Sequence, residues 1–150
     1  MKQRLMAGLH RFLIVLLLGL VMIQVAGCSQ LPEDSYATYA QALQSGGFAS
    51  GRLPAVIPDT ATNIRAAQAV DSNQIWVSFD FPLDAVESFA ALCSPVSFDE
   101  VDLPDSGPRW WDTQALKDPW NAFYVCGDQA SLGYLALLGT GEQAYYWSYR

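Results

Sequence analysis

The clearest pattern in the chain is an alternation in its middle. Ile75, Val77, Phe79 and Phe81 point one way and Trp76, Ser78 and Asp80 the other, which predicts a strand over 75–81 that Pro82 stops. Three further runs, 121–126, 131–138 and 143–149, are separated by Gly127-Asp128 and by Gly139-Thr140-Gly141. They read as strands joined by hairpin connections. Other stretches carry helical spacing. Tyr36, Tyr39, Ala40 and Leu43 predict a helix over 36–44, ended by Gly46-Gly47. With Asp59 or Thr60 as cap, Ala61, Ile64, Ala67 and Gln68 predict a second helix to about Val70, before the turn Asp71-Ser72-Asn73. Leu83, Val86, Phe89 and Ala90 predict a third over 83–92. Leu53-Pro54-Ala55-Val56-Ile57-Pro58 is held extended by its two prolines, and 94–119, rich in proline and acids, reads as a long loop. The expected fold is a two-layer α+β domain: a four-stranded, mainly antiparallel sheet covered on one face by two to three helices, with one disulfide.

The N-terminus carries a different pattern. Lys2, Arg4 and Arg11 precede an apolar run from Phe12 to Ile23, the layout of a secretory signal peptide. At about 1.5 Å per residue the run spans roughly 18 Å, short of the ~30 Å core of a bilayer. It ends in Val25-Ala26-Gly27-Cys28, and with that lipobox the segment resembles the leader of bacterial lipoproteins. The resemblance implies cleavage before Cys28, diacylglyceryl on its sulfur and an acyl group such as palmitate on its new amine. Two or more chains anchor stably, whereas one anchors marginally. Ser29 in the following position implies, in a host with two membranes, the periplasmic face of the outer membrane. The expected organisation is a signal peptide over 1–27, a lipidated tether over 28–35 and a single domain over 36–150.

Composition then narrows the chemistry. The chain has 150 residues and a formal net charge of -7. Removal of 1–27 takes away His10, the one histidine, and leaves five cations against fifteen acids, five minus fifteen giving -10. A mature chain without histidine has no Ser-His-Asp triad, Cys-His pair or His-ligated zinc. Its acidity repels phosphate backbones, so nucleic acid is not an expected partner. No phosphate-binding glycine motif is present and no cofactor is expected. Asp99, Glu100, Asp102 and Asp105 lack the spacing and turn glycine of a calcium loop, so no metal site is expected. Cys93 and Cys126 lie 33 residues apart with no C-x-x-C arrangement. In an exported chain they read as a structural disulfide, here pinning the end of the third helix to the sheet.

Leu53-Pro54-x-x-Ile57-Pro58-x-x-Ala61-x-x-Ile64 is followed by Asp71-x-Asn73-x-x-Trp76-x-x-Phe79-x-Phe81. This body resembles small exported bacterial proteins of unknown function. It departs from their pattern in having Gly51-Arg52 for Gly-Trp and Asp71-Ser72-Asn73 for Asp-Thr-Asn. The resemblance implies an exported single domain and no mechanism.

Candidate ligand-binding residues are Trp110, Trp111, Asp112 and Trp120, because an indole face beside a carboxylate suits a sugar ring or a peptide. The competing reading folds these indoles back as a lid on the sheet. The aromatic row Tyr145-Tyr146-Trp147-Ser148-Tyr149 similarly reads as an interaction patch or a covered face. The expected function is a non-enzymatic module, binding or structural, anchored at Cys28 and meeting an envelope protein or cell-wall glycan. The alternative is a small glycan hydrolase using two acids among Asp99, Glu100, Asp102 and Asp112, which would have to stand about 5–9.5 Å apart.

Overall fold

The computed structural model describes residues 31–127, 132–139 and 141–149. The signal peptide, Cys28, residues 128–131, Thr140 and Arg150 lie outside the described residues. The alternating stretches form strands as expected: β3 (Gln74–Asp80), β5 (Ala122–Cys126), β6 (Gly133–Leu137) and β7 (Gln143–Ser148). Three more join them, β1 (Glu33–Thr38), β2 (Thr62–Ala69) and β4 (Cys93–Val96). All pair antiparallel in one sheet of order β1-β2-β3-β7-β6-β5-β4, two meanders joined edge to edge where β3 meets β7. The expectation of a four-stranded, two-layer α+β domain is therefore overturned: seven strands carry the described fold, and helix is confined to α1 (Tyr39–Gln44), α2 (Val86–Ala90) and single 3₁₀ turns.

Each misreading has a physical cause. The stretch assigned to a second helix is β2. Its Ile64 and Ala66 are buried on one face of the sheet and its Ala67 and Ala69 on the other, so both faces are apolar and no alternation survives. Asn63 adopts a left-handed φ of 50° where the pairing with β3 slips between Thr62 and Arg65. The first three residues of the first expected helix, 36–38, end edge strand β1, in which Tyr36 alone is buried. Residues 33–35, read as tether, belong to that strand. Helix begins only after Thr38, whose side-chain oxygen accepts from the Gln41 N–H (3.3 Å). Gly46, at φ 74°, ends it: the Gly47 N–H reaches the Ala42 carbonyl and the Gly46 N–H the Leu43 carbonyl, a Schellman closure. Cys93 does not end a helix but opens β4, an edge strand short enough to contain Pro95. The disulfide thus links two neighbouring strands and not a helix to the sheet.

The sheet is covered on both sides. On the first face Ile64, Ile75, Val77, Phe79 and Leu135 pack beneath α1, the segment 53–61 and α2. Phe89 of α2 is fully buried and meets Phe81 edge-on at 5.1 Å. On the second face Trp76, Ala136, Tyr145 and Trp147 lie beneath the 97–121 segment, which contributes Trp111 and Leu116. Each buried Ile, Val, Leu or Phe side chain of this kind contributes roughly 1.5–3 kcal/mol.

The two rims of the sheet differ. Ile75, Ser148, Gly133, Cys126 and Cys93 line up across β3-β7-β6-β5-β4 at one rim. The chain enters at that rim, where the Pro32 carbonyl accepts from the Gln68 N–H (3.3 Å). At the opposite rim β3 runs out to Leu83, β6 turns back to β7, and Trp120 precedes β5. Among the described residues no helix is long and apolar enough to cross a membrane.

Candidate functional site

The four binding candidates occupy three different environments. Trp111 is 7% exposed, its ring edge-on to Tyr145 (4.9 Å) and to Trp147 (5.8 Å). The close approach of Gly107 makes room for it, since a Cβ there would come within 2.8 Å of the indole. Trp147, fully buried, stacks with Tyr134 and donates its indole N–H to the Asp102 carbonyl (2.7 Å). The 97–121 segment is therefore fastened down by aromatic contacts, the lid arrangement.

Trp110 sits half-buried at the margin of this lid and donates its indole N–H to Glu33 of β1 (3.2 Å). Asp112 is exposed, and one carboxylate oxygen accepts from the N–H groups of Gln114 and Ala115, both at 3.0 Å. This is a turn cap that opens the 3₁₀ turn over 115–117. Tyr145 lies below: burial, then the nearby Asp112 charge, pushes its phenol above its ordinary value.

Trp120 stands apart, 84% exposed. Its Cβ rests against Gly139, where any side chain would collide with it, and Leu83, 62% exposed, borders Gly141 of the same turn. Asn121 fastens this rim. Its side-chain nitrogen donates to the Ala115 carbonyl (2.8 Å) and its oxygen accepts from the Gly139 N–H (2.9 Å). The structure thus joins Trp110 to Trp111 (6.1 Å between ring centres) and leaves Trp120 on its own rim.

The acids of the hydrolytic alternative are exposed, and the carboxylates of two have other duties. Glu100 completes a capping box with Ser97. Asp112 caps a turn. Two carboxylates not singled out from the sequence, Asp80 and Glu142, line a polar cleft of about 700 Å³ together with Thr60 and Thr62. Asp80 accepts there from the side-chain amide of Asn63 (2.7 Å). Asp80 is the polar end of a strand and Glu142 follows a turn glycine, so nothing in the sequence ties them together. Among the described residues no three His, Cys, Asp or Glu side chains gather as a metal site. A second cleft, of about 650 Å³, runs beside β4 between Phe98, Lys117 and Pro119. A third, of about 260 Å³, lies at the rim where the chain enters and is bordered by Cys126 and Ser148.

Compared with known proteins, the chain is similar over residues 32–80 to the YbbD head domain family, which fits a small exported bacterial protein. The matched segment holds β1, α1, β2 and β3 and stops at the last residue of β3. No curated protein matches the chain, and no solved structure does.

Proposed function

We propose that the protein is a lipoprotein of the bacterial cell envelope, acylated at Cys28, that works by binding an envelope protein or cell-wall component and not by catalysis. The lipobox supports the anchor, and the likeness to the YbbD head domain supports export. β1 begins at Glu33, five residues beyond Cys28. At about 3.3–3.6 Å per residue, five residues reach no further than roughly 18 Å, so an anchor at Cys28 keeps the start of β1 near the membrane.

The observation that carries the reading is the pairing of exposed Trp120 and Leu83 about one turn at the rim opposite the chain's entry. Indoles are enriched where protein surfaces bind, and the backbone of this one is held by the bond that the Trp120 N–H donates to the Asp118 carboxylate (2.9 Å). The hydrolytic reading has less support, because Glu100 and Asp112 are engaged as caps.

Two substitutions test this separately. Cys28→Ser should move the protein from the membrane pellet to the soluble fraction, and continued pelleting would remove the anchor. In cells carrying the wild-type anchor, Trp120→Ala should abolish chemical cross-links to an envelope partner while the melting temperature holds. Cross-links that persist unchanged would remove Trp120 from the binding surface.

A further inference from the structure

The rim opposite the chain's entry sets exposed apolar groups beside acids. Leu83 borders Gly141 and Trp120 borders Gly139, and both side chains are largely exposed. Glu142, the residue after Gly141, lines the cleft of about 700 Å³ together with Asp80, Thr60, Thr62 and Pro82. Pro82 is exposed and leads directly into Leu83. Gly139 and Glu142 are three Cα steps apart, so the indole and the cleft are attached to one turn at points no more than about 11 Å apart.

Both carboxylates can be reached from solvent, since Glu142 is exposed and Asp80 half-buried. Asp80 accepts from the Asn63 amide (2.7 Å), which is a neutral donor. Among the described residues the only ion pair is Arg52 with Asp34 (2.6 Å), which involves neither acid. Arg65 stands opposite Ser78, further in along the sheet, and Lys117 lines the separate cleft beside β4. Asp84, next to Leu83, and Asp118, two residues before Trp120, are exposed as well. Apolar surface is thus offered in a negative field, which draws in cations and turns away anionic lipid, phosphate and acidic protein. Exposed ion pairs alone add little affinity, whereas covering Leu83 and Trp120 adds the apolar burial that a stable contact needs.

We propose that this rim binds a basic, extended segment of a protein partner, an arginine or lysine entering the cleft lined by Asp80 and Glu142 and an apolar side chain covering Leu83 and Trp120. Residues i and i+2 of an extended strand project to the same side about 7 Å apart, which fits the span of the turn. The hydroxyls of Thr60 and Thr62 supply further acceptors for the cation. The proposal rests on the binding role given to Trp120 above and adds the chemistry of the partner. It is independent of the anchor at Cys28.

The test titrates the isotope-labelled full chain, in neutral detergent, with the capped peptide acetyl-Gly-Arg-Ala-Leu-Gly-amide. Two control peptides carry glutamate for the arginine or alanine for the leucine. Shifts should centre on the Trp120 indole, Leu83 and Glu142. The arginine peptide should bind about fivefold or more tighter than the glutamate peptide at low salt, and the preference should shrink as salt rises to about 0.5 M. Asp80→Asn combined with Glu142→Gln should abolish that preference and keep the advantage of leucine over alanine. Glu142→Gln alone, at an exposed position, should lower the preference about twofold without disturbing the fold. Trp120→Ala should remove the advantage of leucine. Equal binding of the arginine and glutamate peptides, still weakened by Trp120→Ala, would overturn the basic partner and leave Trp120 as a binding residue. Binding indifferent to Trp120→Ala would overturn both. Absence of shifts at millimolar peptide, or equally tight binding of chitotetraose with the same shifts, would overturn the protein segment.

Discussion

Cys93 and Cys126 stand directly opposite each other on β4 and β5, their Cα atoms 4.2 Å apart, and are joined by a disulfide. The bond closes a loop of 33 residues that contains the whole lid over the second face. It also fastens an edge strand of four residues whose Pro95 has no N–H to donate. Replacing both cysteines by serine should lower stability by about 3–4 kcal/mol on the loop-entropy account. Urea unfolding measures the loss, and amide exchange should rise first in β4 and the lid.

Trp111 inside the lid and Trp120 at its end should respond very differently to truncation. Trp111→Ala empties the contact with Tyr145 and Trp147 and should destabilise the fold by about 3–5 kcal/mol. Trp120→Ala, at a residue 84% exposed, should change stability by no more than about 0.5 kcal/mol. Thermal or urea unfolding of the two variants side by side checks the contrast.

Glycine is required for different reasons at Gly133 and Gly46. A methyl group at Gly133 would overlap the Tyr146 ring, so Gly133→Ala should cost about 1–3 kcal/mol as overpacking and should shift the Tyr146 resonances. Gly46 has nothing within 4 Å of the same position but holds a φ of 74°. There alanine should cost about 1 kcal/mol from backbone conformation alone, with the core undisturbed.

Alkaline pH should weaken the fold. Burial raises the phenols of Tyr36, Tyr145 and Tyr149 above their ordinary value of 10.0, helped at Tyr145 by the charge of Asp112. Folded phenols then keep protons that unfolded ones have released, so the unfolded state binds fewer protons and stability falls as pH rises. The curve should be flat with respect to these groups below about 10 and descend above it. Urea midpoints between pH 8 and 11 follow it, and Tyr145→Phe should make the descent shallower.

Four strands were readable because β3 alternates strictly between Asp71-Ser72-Asn73 and Pro82, while β5, β6 and β7 are β-branched or aromatic runs separated by Gly127-Asp128 and Gly139-Thr140-Gly141. Covering both faces of the sheet erased the same signal in β2, where Ile64 and Ala67 fall at a spacing that also suits a helix. Edge strands β1 and β4 bury few side chains, and Tyr36 or Cys93 alone sets no period. The cysteine pair was legible from its count and the export signal, but its position was not, because that depended on seeing β4. Asp112 illustrates the limit for sites: the carboxylate is a turn cap, which local sequence permits, while the exposure of Trp120 is decided by Gly139, nineteen residues on.

The pairing of β3 with β7 also fixes an order of events. β7 is the last of the strands along the chain yet occupies the middle position of seven, and the family likeness stops just where its partner stops. A nascent polypeptide halted anywhere before Gln143 has Val77 and Phe79 on an unmated border, available to any extended stranger. Delivery of the complete chain before folding removes that hazard.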